Sequence, residues 1–252
     1  MNIWCFKLRA FSVHLLLSMA IAAIAAWLVF GFWYPYPYRE ISGGRELFAL
    51  IVGVDVALGP LITFIVFNPK KSNIEKALDF GAIGVLQLGA LLYGLWSVDQ
   101  ARPVHMVFEY ARFQVVHKVD IPQESLKKAP QELQKMRWTQ GPTYLSLRRL
   151  QLSEEIEMTL AALGGVPLAA RPELWQPYDA ARIEVLRESR PIANLRESLP
   201  PHAELIDAAV RKTGLAVEQV RYLPLISRGK AWTVLVDART ARPVGFLPVD
   251  PF

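Results

Sequence analysis

Three long apolar runs separated by short polar loops occupy the first 98 residues, and shorter alternating segments occupy the rest. The runs, 11–33, 47–67 and 77–98, each reach the roughly 20 residues needed to cross about 30 Å of hydrocarbon at about 1.5 Å per residue. The pattern predicts a membrane domain over 1–98 with three transmembrane α-helices.

Beyond it, residues 103–119 are rich in β-branched and aromatic types and predict a hairpin or two short strands. Pro142–Leu147 gives a weaker strand pattern. Ser153–Leu163 has a capping-box start and stops at Gly164-Gly165, and Pro177–Ser189 and Pro201–Lys212 add two more helical segments, the latter closed by Gly214. Strand pattern returns over Val220–Leu225, Ala231–Asp237 and Pro243–Pro248, with a turn at Asp237-Ala238-Arg239-Thr240. Strands, then helices, then strands predict that 99–252 forms an α+β domain with a mostly antiparallel sheet.

Charge sets the expected orientation. Lys7 and Arg9 precede the first run, and Lys70, Lys71 and Lys76 crowd the loop between the second and third. By the positive-inside rule the N-terminus faces the cytoplasm, so three spans leave the tail outside, in the periplasm of a bacterium with two membranes. The loop 34–46 balances Arg39 and Arg45 against Glu40 and Glu46, behind an aromatic belt from Phe32 to Tyr38. A cleaved signal peptide is the competing reading of the first run, since Ala23-Ile24-Ala25 offers small residues, but apolar residues continue past it to Phe32. The single cysteine, Cys5, permits no internal disulfide and no Cys-cluster metal site. The net charge of +5 divides into +2 for residues 1–98 and +3 for residues 99–252, too little in either part to argue for nucleic acid.

The candidate chemistry is concentrated in the membrane. Small residues recur at helix-packing spacing, Gly53 with Ala57, Ala77 with Gly81, and Ala90 with Gly94. With the short loop after Phe67, they predict that the second and third spans form a hairpin. Gly59-Pro60 predicts a kink in the second span. Asp55 sits near the middle of that span, where an ionised carboxylate needs a partner. Counting depth in an antiparallel hairpin brings it within about one helical turn of Gln87. Three readings stay open: a hydrogen bond from the Gln87 amide, a contact with an incoming transmembrane segment of another protein, or a proton or ion pathway. Asp79, nearer the inner surface, is expected to pair with Lys76 or snorkel, and His14 reads as a membrane-surface residue.

No phosphate loop, nucleophile elbow or His-Glu-x-x-His helix is present, so no catalytic residue, metal ligand or cofactor is expected. His105 and His117 are 12 residues apart on possible neighbouring strands and are read as solvent-facing. The basic segment from Lys127 to Trp138 reads as a solvated loop, with lipid headgroups as its other possible partner.

Gly53-Val54-Asp55-Val56-Ala57-Leu58-Gly59-Pro60-Leu61, running on to Phe67-Asn68-Pro69-Lys70-Lys71, resembles the signature of the TfpX/TfpZ family of type IV pilin accessory proteins. The resemblance extends to Arg102-Pro103-Val104, Arg112-Phe113, Arg221–Leu225 and Trp232–Asp237, although Ala111 stands where an acidic residue often precedes the Arg-Phe pair. It implies a non-enzymatic, chaperone-like factor of the bacterial inner membrane that serves one cognate major pilin and supports its stability, assembly or surface display. Its partners would be that pilin, inner-membrane pilus assembly proteins and the bilayer. On this reading Gly53, Ala57, Gly59 and Pro60 help receive the pilin's apolar helix, Asp55 pairs with its N-terminal amine, and the tail receives its head. A pilin-modifying membrane enzyme and a periplasmic sensor are the alternatives. The two span carboxylates, Asp55 and Asp79, are too far apart for an aspartic dyad, and the cytoplasmic segments are too short for an output domain.

Overall fold

A segment in hydrocarbon has no water to hydrogen-bond its backbone and must satisfy that backbone internally, and each apolar run does so as a helix. In the computed structural model, which describes residues 3–134, 138–151, 154 and 165–252, helix α1 covers Ile3–Leu28 and continues into a π-helical turn, Val29–Trp33. A one-turn helix α2, Tyr38–Ile41, leads into α3, Gly44–Val66, and then α4, Asn73–Gln100. All three long helices begin ahead of their apolar runs and are long and apolar enough to cross a membrane. The start of α4 is fixed by a capping box: the Glu75 backbone N–H donates to Ser72 Oγ at 3.2 Å, and the Ser72 N–H donates to the Glu75 carboxylate at 2.7 Å.

The chain divides into two compact units, Met1–Ala101 and Arg102–Phe252. Within the first, α3 packs against both α1 and α4, which make little contact with each other. At the end where α1 becomes π-helical, Val29, Trp33, Tyr34 and Val98 form a buried cluster. The Tyr34 hydroxyl donates to the Val98 carbonyl at 3.3 Å.

Gly44 is fitted to this cluster, since a Cβ there would fall 2.4 Å from Tyr34 Cδ1. The Tyr34 ring is wholly buried and cannot withdraw. Gly44→Ala is therefore expected to cost about 1–3 kcal/mol as an overpacked site, read as a lower melting temperature of the full chain in detergent. Gly53→Ala is the control, because nothing lies within 4 Å of a Cβ at Gly53.

The second unit is a mixed, mostly antiparallel eight-stranded sheet with helices. Strands β1 (Pro103–Glu109) and β2 (Arg112–His117) form the hairpin expected from their β-branched and aromatic content. β3 (Thr143–Leu147) lies parallel to β1, and β4 (Trp175–Pro177) is antiparallel to β3. After β5 (Arg190–Pro191), strands β6 (Val220–Ser227), β7 (Lys230–Asp237) and β8 (Pro243–Leu247) form an antiparallel meander. The order is β4-β3-β1-β2-β6-β7-β8, and β5 pairs with β6. The two parallel pairings, β1 with β3 and β2 with β6, lie outside the expected antiparallel pattern.

The segment 177–189 becomes a 3₁₀ turn, Tyr178–Ala181, followed by α5, Arg182–Glu188. An unexpected helix, α6, covers Ile192–Ser198, and α7 covers Ala203–Thr213 and ends at Gly214 with φ 70°. The helix expected over Ser153–Leu163 lies outside the described residues apart from Glu154, and residues 135–137 of the basic segment lie outside them too. Two cores hold the sheet. One joins β1 and β3 to Leu174 and Trp175; the other joins β6, β7 and β8 to Ile192, Leu195, Ile206 and Val210.

The histidines of the hairpin are not solvent-facing, contrary to the sequence expectation. His105 is 5% exposed and His117 is 1% exposed, because the whole of β1 and the end of β2 are covered. The Nδ1 of His105 bonds Thr143 Oγ1 at 2.7 Å, and that of His117 bonds the Asp120 carboxylate at 3.0 Å. The two rings serve separate neighbours, and no group of three or more His, Cys, Asp or Glu residues suited to a metal ion occurs among the described residues.

An intramembrane groove as the candidate functional site

Because α1 and α4 each lean on α3 and hardly on each other, a groove of about 620 Å³ opens between them. Apolar side chains line most of it, with Val52 and Asp55 of α3 on its floor. Asp55 is the twelfth of the 23 residues of α3, so its carboxylate lies halfway along that helix. On insertion scales, an ionised carboxylate at such a depth costs about 2.5–3.5 kcal/mol without a partner.

Gln87 does meet Asp55, but at a different atom from the one expected. Its Nε2 donates to the Asp55 backbone carbonyl at 3.2 Å, not to the Asp55 carboxylate. The reason is the close approach of the two helices. The Gln87 amide occupies the space a side chain at Gly59 would fill, with Nε2 only 1.7 Å from a Cβ built there. The carbonyl of Asp55, one turn before Gly59 on α3, is therefore the acceptor within reach.

The other expected site residues separate into two groups. Gly59 and Pro60 are buried, with Pro60 inside the continuous α3 helix, whereas Gly53 and Ala57 are exposed. In the third span Ala77, Gly81 and Ala90 are also exposed. The α3–α4 hairpin is thus seated on Gly59 against Gln87 and Gly94 against Ile51. Spacing of small residues found the element pair and its contact at Gly94, but the other residues it picked are exposed, because lipid accepts a small residue as readily as a neighbouring helix does.

The charged residues near the helix ends are arranged locally. Lys71 Nζ bonds the Asp79 carboxylate at 2.6 Å, so the partner of Asp79 is Lys71 rather than Lys76. Lys7 Nζ donates to the Ile65 carbonyl at 3.3 Å, while Arg9 lines one end of the groove. His14 is not simply a surface residue: its Nδ1 bonds the buried Thr63 hydroxyl at 2.6 Å and ties α1 to α3.

The second unit has its own concave surface. A cleft of about 680 Å³ is lined by Thr143, Tyr144, Tyr178 and Arg242, with His105 in its wall. The Tyr178 hydroxyl donates to the Ala241 carbonyl at 2.5 Å, and burial holds that phenol well above its usual range. The stretch Arg221–Leu225 lies in β6, where Arg221 bonds the hydroxyl and carbonyl of Ser189 and so fastens the sheet to the segment before α6.

The family model described as "Fimbrial assembly protein FimB" matches residues 2–43, the stretch that contains α1 and α2. Two curated relatives from Dichelobacter nodosus are similar over nearly the whole chain. The fimbrial assembly protein of serogroup I is 36% identical over 235 residues, 92% of this chain and 91% of the relative. That of serogroup E1 is 35% identical over the same shares. A shorter relative, of serogroups C1 and C2, is 44% identical over 124 residues, 49% of this chain and 95% of its own. No solved structure matches.

Proposed function

The chain belongs to the family of fimbrial assembly proteins, and from that premise we propose that it is a non-enzymatic accessory factor of the type IV pilus, of the TfpX/TfpZ kind, serving one cognate pilin. Similarity to fimbrial assembly proteins over nine-tenths of the chain is the observation that carries this reading. The protein sits in the bacterial inner membrane with its N-terminus in the cytoplasm and residues 102–252 in the periplasm. The basic residues Lys7, Arg9, Lys70, Lys71 and Lys76, all on one side of a three-span arrangement, support this orientation.

A pilin subunit held in the same membrane presents an apolar helix and a globular head. The membrane unit and the mixed-sheet unit supply a surface for each, and holding both before assembly keeps the subunit folded and available. The groove on the membrane unit and the Tyr144–Tyr178 cleft on the second unit are surfaces suited to that role.

The test is deletion of the gene with the pilin gene intact, followed by immunoblots of whole cells and of the sheared surface fraction. Surface pilin is expected to fall by tenfold or more. Loss from both fractions assigns the protein to protection of membrane-held pilin, and loss from the surface alone assigns it to handover. Unchanged pilin in both fractions would overturn the proposal.

A further inference from the structure

We propose that the groove between α1 and α4 is the seat of one membrane-spanning helix of the pilin, and that this helix sets a cationic group against Asp55. The inference rests on the functional reading above and gives it a site.

The form of the groove argues for a helix. On α1 its wall is made by Phe6, Ala10, Val13, Leu17 and Ile21, an unbroken helical face over four turns, roughly 22 Å long. On α4 the opposite wall is made by Phe80, Gly84, Leu88 and Leu91, a face roughly 16 Å long. Two such walls lean apart on the common floor of α3. They leave an apolar channel about three to four helical turns long, room for the middle of an added spanning helix, with Gly84 leaving room for close approach.

Charge then specifies the occupant. Asp55 lines the groove, and among the described residues its carboxylate has no hydrogen bond or ion pair. Two polar side chains that line the groove are already engaged, Gln87 with the Asp55 carbonyl and His14 with Thr63. Arg9, among the described residues the one Lys or Arg lining the groove, lies beyond the His14–Thr63 contact. The helical rise from Asp55 to Thr63 and from His14 to Arg9 together puts it about 20 Å along the axis from Asp55. That separation is too great for Arg9 to neutralise the carboxylate, and a cationic group on an incoming helix would supply the complement. A cation at mid-depth of the incoming helix is equally in need of a partner, and the pair removes both demands at once.

The experiment is photocrosslinking in cells that carry the full chain and its cognate pilin. A benzophenone amino acid replaces Leu17 or Leu88 in the groove walls, or Leu16 or Leu92 as controls that are exposed but do not line the groove. Adducts are identified by anti-pilin immunoblot. The expected result is a pilin adduct from Leu17 and Leu88 at tenfold or more the yield from Leu16 and Leu92. The yield should fall by at least tenfold in Asp55→Asn and be largely kept in Asp55→Glu, with the variant chains present at equal levels. An undiminished adduct in Asp55→Asn would overturn the charge pairing. Adducts only between two copies of this chain, or no protein adduct because lipid fills the groove, would overturn the docking site. If deletion nonetheless abolishes surface pilin, only the groove assignment fails; if deletion changes nothing, the functional reading itself fails.

Discussion

Trp175→Ala is expected to destabilise the second unit by about 3–5 kcal/mol, the cost of emptying a buried indole site. Trp175 is 2% exposed, pairs with Leu147 across β3 and β4, and closes the core beneath β1. Its Nε1 donates to the Ala169 carbonyl at 2.8 Å, and its ring meets that of His105 edge-on at a centroid distance of 4.6 Å. Alanine removes the ring, leaves the carbonyl without its donor and opens the side of His105. Because domains have only about 5–15 kcal/mol of stability, this loss is a large share. It is measured by hydrogen exchange of the β1, β3 and β4 amides in the full chain in detergent, where protection should drop by about two to three and a half decades at 1.4 kcal/mol per decade. A drop of less than one decade would mean that Trp175 does not hold this core.

The second large effect is a loss of stability in mild acid carried by His105. Burial holds its imidazole down at about 4, against 6.5 for the free side chain. A basic group with a depressed pKa binds its proton in the unfolded chain before it binds one in the folded chain. The stabilisation is therefore complete above about pH 6.5, is lost progressively as pH falls from there, and stops declining near pH 4. At 1.36 kcal/mol per unit the full loss is about 3 kcal/mol. Asp120, which His117 holds below the usual carboxylate range, adds its own loss only at lower pH, so the two contributions occupy different windows. Protection of the β1 amides measured from pH 7.5 to 4.5 should fall in the parent chain and stay nearly level in His105→Phe. Equal slopes in the two proteins would refute the assignment. Trp175→Ala wets the ring and should shrink the same slope, so the effects of the two substitutions will not add.

The parts of the fold legible in the sequence are those where one local signal decides the structure. An apolar run of 20 or more residues admits only a helix in hydrocarbon, and the three spans followed from that. The β-branched and aromatic content of residues 103–117 and 220–247 gave the two hairpin regions. The three residues of β4 and the two of β5 are too short to carry a period, and α6 is a seven-residue helix following Pro191 without an acidic or hydroxyl cap. The parallel pairings are invisible locally because each depends on a partner far along the chain. Histidine burial was missed for a related reason: alternation marks one covered face, and β1 is covered on both.

In the membrane unit the limit has another cause. Asp55 stood out because it is a carboxylate among apolar residues, and its proximity to Gln87 followed from counting turns. The groove did not, because a helix in lipid is apolar all round, and composition cannot separate a face that meets acyl chains from one that meets a protein. Ser72 and Glu75 were an available signal that went unused, since the S-x-x-E spacing marks the first turn of α4 four residues before the apolar run begins.

The parallel seam between β2 and β6 has a consequence for how the chain is made. Phe113 pairs with Leu225 and Gln114 with Ile226, so the hairpin of β1 and β2 and the meander of β6, β7 and β8 become one sheet only after more than 100 residues have followed β2. Contacts so distant in sequence form slowly, since the intervening loop has to close before they contribute. Until residue 227 has emerged, β2 presents an open strand edge, and its Phe113 side chain, wholly buried in the finished sheet, is uncovered. The second unit thus cannot mature domain-first while its own synthesis is still under way, and the interval between residues 117 and 227 is when this chain is most open to aggregation and proteolysis.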